Sequence, residues 1–250
     1  MAERNGFLSV FKEPKPVMAM LHLKGDSPSD VMERVRREID IYVEGGVDAV
    51  IVEDYFGTYG DMRRALEYIR DERIDIVYGV NCLNIDAMGF ELAREFGAAF
   101  VQLDSVVGHV KPRDEEALAA FLELNRSRYD GFVLGGVRFK YQPVLSENSL
   151  EADLAISRDR CDAVAVTQDA TGQETSLEKI RSFRDGLGNF PLIVAAGVTP
   201  ENLAESFKIA DGAVVGSYFK DTYRDDGEVS AEHVKRIMDA VRNMRGEVAA

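Results

Sequence analysis

Basic residues are in short supply in this chain. The sequence holds 30 Lys and Arg against 44 Asp and Glu, a formal net charge of −14 over 250 residues, and within the basic set Lys is scarce beside Arg. Phosphate backbones are bound by basic surfaces, so this balance argues against a nucleic-acid partner. The acidity is spread along the chain rather than gathered in a tail, which suits either a salt-adapted surface or ordinary acidic solubility. Long apolar runs are also missing: none approaches the roughly 20 residues needed to cross a bilayer, so stable membrane insertion is not expected. The opening stretch "MAERNGFLSVFKEPK" has neither a long apolar segment nor a small-residue cleavage site, so it does not read as a signal peptide, and a cytoplasmic protein is expected. Only two cysteines occur, Cys82 and Cys161. Both stand beside expected strands without metal-ligand spacing, as buried free thiols rather than a disulfide.

What is present is alternation. Short β-branched runs recur at 16–23, 48–54, 75–81, 99–104, 132–140, 162–168, 192–197 and 212–217. Stretches of helical spacing lie between them. In "SDVMERVRREIDIYVEGG", Val31, Val35, Ile39 and Tyr42 form one stripe that Gly45 and Gly46 end, with Ser29 as the expected N-cap. "SAEHVKRIMDAVRNM" follows the same rule, with Ser230 at its start. Strand and helix alternating eight times with no break in composition predicts an α/β fold, a single (β/α)8 barrel of the TIM type in one domain. The barrel is expected over 16–220, a short N-terminal helix over 1–12, and a C-terminal helix over 230–245. A doubly wound sheet is disfavoured because the first strand runs into "HLKGDSPSD", which is no dinucleotide fingerprint.

Barrel enzymes carry their chemistry where the strands end. Side chains alternate along a strand, and the face packed on helices must be apolar. That rule turns Gln102 and Asp104 into the barrel mouth, because Val101 and Leu103 take the other face. It does the same for Glu53 beside Val50 and Val52, and for Arg138 and Lys140 beside Val137 and Phe139. His22, Asn81 and Thr167 end their own strands. Each has a bland reading: a salt bridge of Glu53 or Asp104 with Lys140 or Arg138, a satisfied core imidazole at His22, a turn at Asn81. Six polar ends converging on one ring are costly to bury without a ligand, so His22, Glu53, Asn81, Asp104, Lys140 and Thr167 are taken as a site.

The last two strands end in glycine-terminated turns, "LIVAAG" and "AVVGS". Loops after strands seven and eight of such barrels commonly hold a phosphate on backbone N–H groups and helix N-termini. Gly197, Gly216 and Ser217 are the expected phosphate-binding residues. "TPENL" starts a helix with Thr199 as N-cap and Pro200 at its first position, and Gly172 of "QDATGQET" adds to the same rim. Ordinary strand-to-helix turns would look alike.

The combination of "MAMLHL", "EGGVDAVIVEDYFG", "GVNCLNIDA", "ATGQET" and "AAGVTPENL…ADGAVVGSYFK" resembles the BtpA/SgcQ family of the ribulose-phosphate-binding barrel group, over roughly residues 15 to 220. The chain departs from the family in reading "KGDSP" where a "PLPG"-type turn usually follows the strand-one histidine. It also reads "KYQ" where "KHA" is usual, so Tyr141 replaces an imidazole; it can donate a hydrogen bond but is neutral at pH 7. The resemblance implies a TIM barrel and little settled chemistry: photosynthetic members are linked to photosystem I accumulation, and others are labelled nucleosidases.

Two functions are therefore expected to compete. One is an enzyme on a phosphorylated sugar or nucleoside-like compound, with Glu53 and Asp104 as general acid or base. Lys140 would be an electrophile or Schiff-base amine, His22 and Asn81 would orient substrate or shuttle protons, and Arg138, Thr167 and Tyr141 would orient substrate. Isomerisation or epimerisation, retro-aldol cleavage and glycosidic hydrolysis are all open to that set. No cofactor is required by it, although a divalent metal on His22, Glu53 and Asp104 stays open. The other is an assembly or regulatory factor that uses the rim to bind a partner. Pairing into a homo-oligomer is compatible with either.

Overall fold

A computed structural model of the protein describes residues 6–83, 85–107, 115–145 and 147–248. Eight parallel strands close into one barrel in sequence order. They are β1 Val17–His22, β2 Ala49–Glu53, β3 Val77–Asn81, β4 Phe100–Leu103, β5 Phe132–Gly136, β6 Ala163–Val166, β7 Leu192–Val194 and β8 Gly212–Val215. Helices follow them in turn: α1 Pro28–Gly45, α2 Tyr59–Glu72, α3 Asp86–Phe96, α4 Glu115–Arg126, α5 Leu150–Arg160, α6 Leu177–Leu187, α7 Pro200–Phe207 and α8 Ala231–Val248.

The period-2 alternation sorts the core into two apolar shells. Val50, Val52, Val101 and Val164 face outward and belong to one apolar shell with helix residues such as Val31, Val35, Ile39 and Tyr42 of α1. Met18, Ala49, Ile51, Phe100 and Ile193 fill the barrel interior. A 3-10 turn, Phe7–Val10, sits below the barrel. Its Phe7 and the following Phe11 belong to the interior shell, with Phe7 edge-on to Phe100 at 5.5 Å. Burying such a ring contributes about 1.5–3 kcal/mol, so this turn is a hydrophobic plug at the end away from the mouth.

Local boundaries follow capping chemistry. Gly46 ends α1 in the left-handed region at φ 81°. The helix begins earlier than Ser29, because Pro28 takes a first-turn position that needs no donor and Ser27 caps it, accepting from the Asp30 amide at 3.2 Å. Thr199 caps α7, with Pro200 next and Asn202 Oδ1 accepting the Thr199 amide at 2.9 Å. Ser230 accepts from the His233 amide at the start of α8 at 3.3 Å. Cys82 and Cys161 are both free and buried. Among the described residues no helix is long and apolar enough to cross a membrane.

Candidate active site

The parallel register places the polar strand ends side by side. His22 pairs with Glu53, Glu53 with Asn81, and Asn81 with Gln102, so one layer of side chains crosses from β1 to β4. His22 Nε2 lies 3.1 Å from Glu53 Oε2, and its Nδ1 lies 2.9 Å from the Asp225 carbonyl oxygen. Both ring nitrogens thus face acceptors, so a proton has to sit on the His22–Glu53 contact. Asn81 Nδ2 donates to Glu53 Oε1 at 3.1 Å and to Asp104 Oδ1 at 3.4 Å, bridging the two carboxylates. Burial, then the neighbouring Glu53 charge, push the Asp104 carboxyl up to about 6, with Lys140, Asn81 and Gln102 opposing. A carboxyl in that range gives and takes a proton near neutral pH.

These groups open on a cavity of about 540 Å³ at the C-terminal mouth. His22, Glu53, Gln102, Asp104, Lys140, Tyr141, Gly172, Gly197, Gly216 and Ser217 all line it. Asn81 stands behind the wall, held between the carboxylates. The Lys140 ammonium lies 5.8 Å from the Phe139 ring and has no ion pair among the described residues.

Two expected roles are corrected, those of Arg138 and Thr167. Strand β5 stops at Gly136, and Arg138 takes a left-handed φ of 48°. The alternation therefore fails beyond Gly136: Phe139 enters the interior shell, while Arg138 points away from the mouth, its Nε on Asp153 at 2.9 Å and its guanidinium on the Asn148 carbonyl at 2.7 Å. Thr167 is fully buried and does not line the cavity; its hydroxyl accepts the Lys140 amide at 2.7 Å, so it positions the lysine loop. Tyr141, 68% exposed, accepts from the Thr171 amide at 3.0 Å, which lowers its phenol and ties two rim loops together. Gly197 needs its glycine for the fold itself: φ is 63°, and a Cβ would come within 2.3 Å of the Glu174 backbone.

Sequence reasoning missed the loop after β8. Residues 221–228 close on themselves, the Asp221 amide donating to the Glu228 carbonyl at 2.8 Å, and fold back over β1. Asp225 and Tyr223 of this loop line the cavity, and Lys24 donates to the Asp226 carbonyl at 2.8 Å. The Asp225 carboxylate beside Tyr55, then burial, push its phenol up to about 12. Beneath the loop Lys220 and Glu38, both fully buried, pair at 3.1 Å, and Arg34 joins Glu38 at 2.9 Å and Glu228 at 2.9 Å. The "SYFK" stretch carried no local signal of this, since its partner lies 182 positions away.

The residues do not make a ready metal set. Both nitrogens of His22 have protein partners and Asp104 is reached through Asn81. Among the described residues no group of three His, Cys, Asp or Glu side chains could share an ion.

Both the sequence and the fold have known counterparts. The family model described as "BtpA family" matches residues 13–243. The chain belongs to the BtpA family. An uncharacterised protein of Thermococcus kodakarensis is 29% identical, over 93% of this chain and 97% of that one. The photosystem I biogenesis protein BtpA of Synechocystis sp. is 26% identical, over 84% of this chain and 82% of that one. Among solved structures, phosphoribosyl anthranilate isomerase from Thermus thermophilus superposes with a TM-score of 0.61 at 14% identity, covering 92% of this chain and 99% of the other. That likeness is one of fold: the BtpA-family barrel is built as TIM-barrel enzymes are.

Proposed function

We propose that this BtpA-family barrel is an enzyme acting on a phosphorylated sugar or nucleoside-like small molecule, by isomerase or epimerase, lyase or nucleosidase chemistry. The observation that carries the reading is the pairing, in one cavity, of a proton-bearing relay with a rim of backbone donors. The relay runs His22–Glu53–Asn81–Asp104, with Lys140 beside it. Opposite stand Gly172, Gly197, Gly216 and Ser217, and the amides of Gly197 and Ser217 have no acceptor among the described residues. A phosphate at that rim holds the substrate's far end while Asp104 or Glu53 moves a proton and Lys140 stabilises the developing oxyanion. Arg138 and Thr167 act at one remove, as ties of the β5–α5 loop.

The second reading, an assembly or regulatory factor, is supported by the name of the Synechocystis relative. A thermal-shift screen against sugar phosphates, nucleosides, nucleotides and divalent metals separates the two. A ligand at a hundred times its Kd stabilises by about 2.7 kcal/mol. The enzyme reading expects a shift with one phosphorylated class that Gly216→Val abolishes, since a side chain there crowds Met20 and the rim. No shift with any class would turn the assignment to the assembly factor.

A further inference from the structure

Three consecutive carbonyl groups of the 221–228 loop are taken by donors from β1, the turn after it and α1. The Asp225 oxygen lies 2.9 Å from His22 Nδ1, the Asp226 oxygen accepts from Lys24 Nζ at 2.8 Å, and the Gly227 oxygen accepts from the Arg34 guanidinium. The loop is itself a hairpin closed by Asp221 and Glu228. The Asp221 amide donates to the Glu228 carbonyl at 2.8 Å, and the Glu228 amide to the Asp221 carboxylate at 3.0 Å. Lys24 and Arg34 are cations and neither lines the cavity, so they strap the loop down from outside the mouth. His22 is different, because a neutral imidazole keeps one nitrogen bare. A carbonyl oxygen only accepts, so a strapped loop requires a hydrogen on His22 Nδ1. The ring is 5% exposed and packed by Tyr55 at 5.2 Å and Phe56 at 6.3 Å, which fixes its plane. Its Nε2 then meets Glu53 Oε2 at 3.1 Å. The titratable groups around it are Glu53, the Tyr55 phenol and the Asp225 carboxylate beside that phenol.

We infer that Asp225 is a positioning residue: its main-chain carbonyl holds a hydrogen on His22 Nδ1 and so makes the His22–Glu53 pair carry two protons instead of one. With the carbonyl absent, a neutral ring beside the Glu53 carboxylate satisfies the contact with one hydrogen, on Nε2, and leaves Nδ1 bare. With the carbonyl in place that hydrogen is on Nδ1, and a second proton, drawn from water, is needed between Nε2 and Oε2 to keep two acceptors from facing each other. The second proton moves between Nε2 and Oε2 while the Nδ1 hydrogen stays. Closing the loop thus loads a transferable proton on the carboxyl that lines the cavity. The consequence rests on the proposed proton-transfer role of Glu53. The state of the ring does not, and it is read without a substrate.

The chain has 3 histidines, so nitrogen NMR of the whole protein with 15N-labelled histidine reads each ring, and His22→Gln assigns the signals. The spectrum is taken at about pH 8, above the ordinary imidazole range. The expected result for the native protein is a hydrogen on His22 Nδ1; a bare Nδ1 with the hydrogen on Nε2 overturns the inference at once. Replacing residues 222–227 by a two-residue Asn-Gly turn keeps the Asp221–Glu228 closing pair, suits a tight hairpin, and takes the carbonyl away. His22 should then lose the Nδ1 hydrogen and show the tautomer protonated on Nε2. Asp225→Ala removes the carboxylate but keeps the carbonyl, and both His22 nitrogen signals should stay in their native state. An Nδ1 that keeps its hydrogen in the shortened loop overturns the positioning role. So does an Asp225→Ala protein whose ring changes as much as that of the shortened loop, since the carboxylate would then be the orienting group. A sugar-phosphate screen without a hit touches none of these readings, so the two assignments fail separately.

Discussion

The two walls of the mouth are built on opposite principles. On the β1–β2–β8 side the buried polar side chains are matched. His22 is held between Glu53 and Asp225, and below it Lys220, Glu38, Arg34 and Glu228 form a charged cluster that clamps the 221–228 loop. On the β4–β5 side Gln102 and Gln142 each keep an oxygen unmatched among the described residues, Lys140 has no ion pair among them, and Asp104 titrates high. The side chains of one wall are matched by the protein, while Asp104 and Lys140 of the other line the cavity. Matched networks rigidify a frame, and groups that line a cavity are where a ligand gains affinity.

The largest way to break the contrast is Glu38→Ala, which strands the Lys220 ammonium and Arg34 in a buried site. Loss of one partner of such a cluster costs about 3–5 kcal/mol, to be read by denaturant unfolding. A loss near zero would mean that the clamped wall is not held by these charges. Next comes Asp104. Its ordinary carboxyl value is 3.8 and the folded value is about 6. Between those values the folded state keeps a proton that the unfolded state has lost, so this group removes stability as pH rises from about 4 to 6, and the loss is complete above that. Asp104→Asn has no such proton to lose. From pH 4 to pH 8 its stability relative to the native protein should therefore rise, by up to about 3 kcal/mol. A flat difference would place Asp104 among satisfied carboxylates. The smallest effect on the fold is expected from Lys140→Ala: stability within about 0.5 kcal/mol of the native protein, but affinity for D-ribose 5-phosphate or the best sugar phosphate down at least about tenfold. Lost stability with affinity unchanged would move Lys140 to the structural wall.

Much of this was legible in the chain. Side chains take alternate faces along the runs at 48–54 and 99–104, so the inward aim of Glu53, Gln102 and Asp104 follows from the order of residues alone. The same rule failed at Arg138 for a reason no alternation carries: the strand ends at Gly136 and the left-handed turn at Arg138 resets which face each residue takes. Thr167 stands one residue past the end of β6, and its hydroxyl is taken by the Lys140 amide rather than offered to the cavity.

By itself, then, the sequence determined the eightfold strand–helix order, most of the apolar faces and the caps at Thr199 and Ser230, because those depend on neighbours a few residues apart. The tertiary structure alone decided that the loop after β8 would roof the mouth, that Lys220 would be buried on Glu38, and that two glutamine oxygens would be left without donors among the described residues. Each depends on groups up to two hundred positions apart in the chain, and only closure of the barrel brings β8 beside β1 and sets β4 across from both.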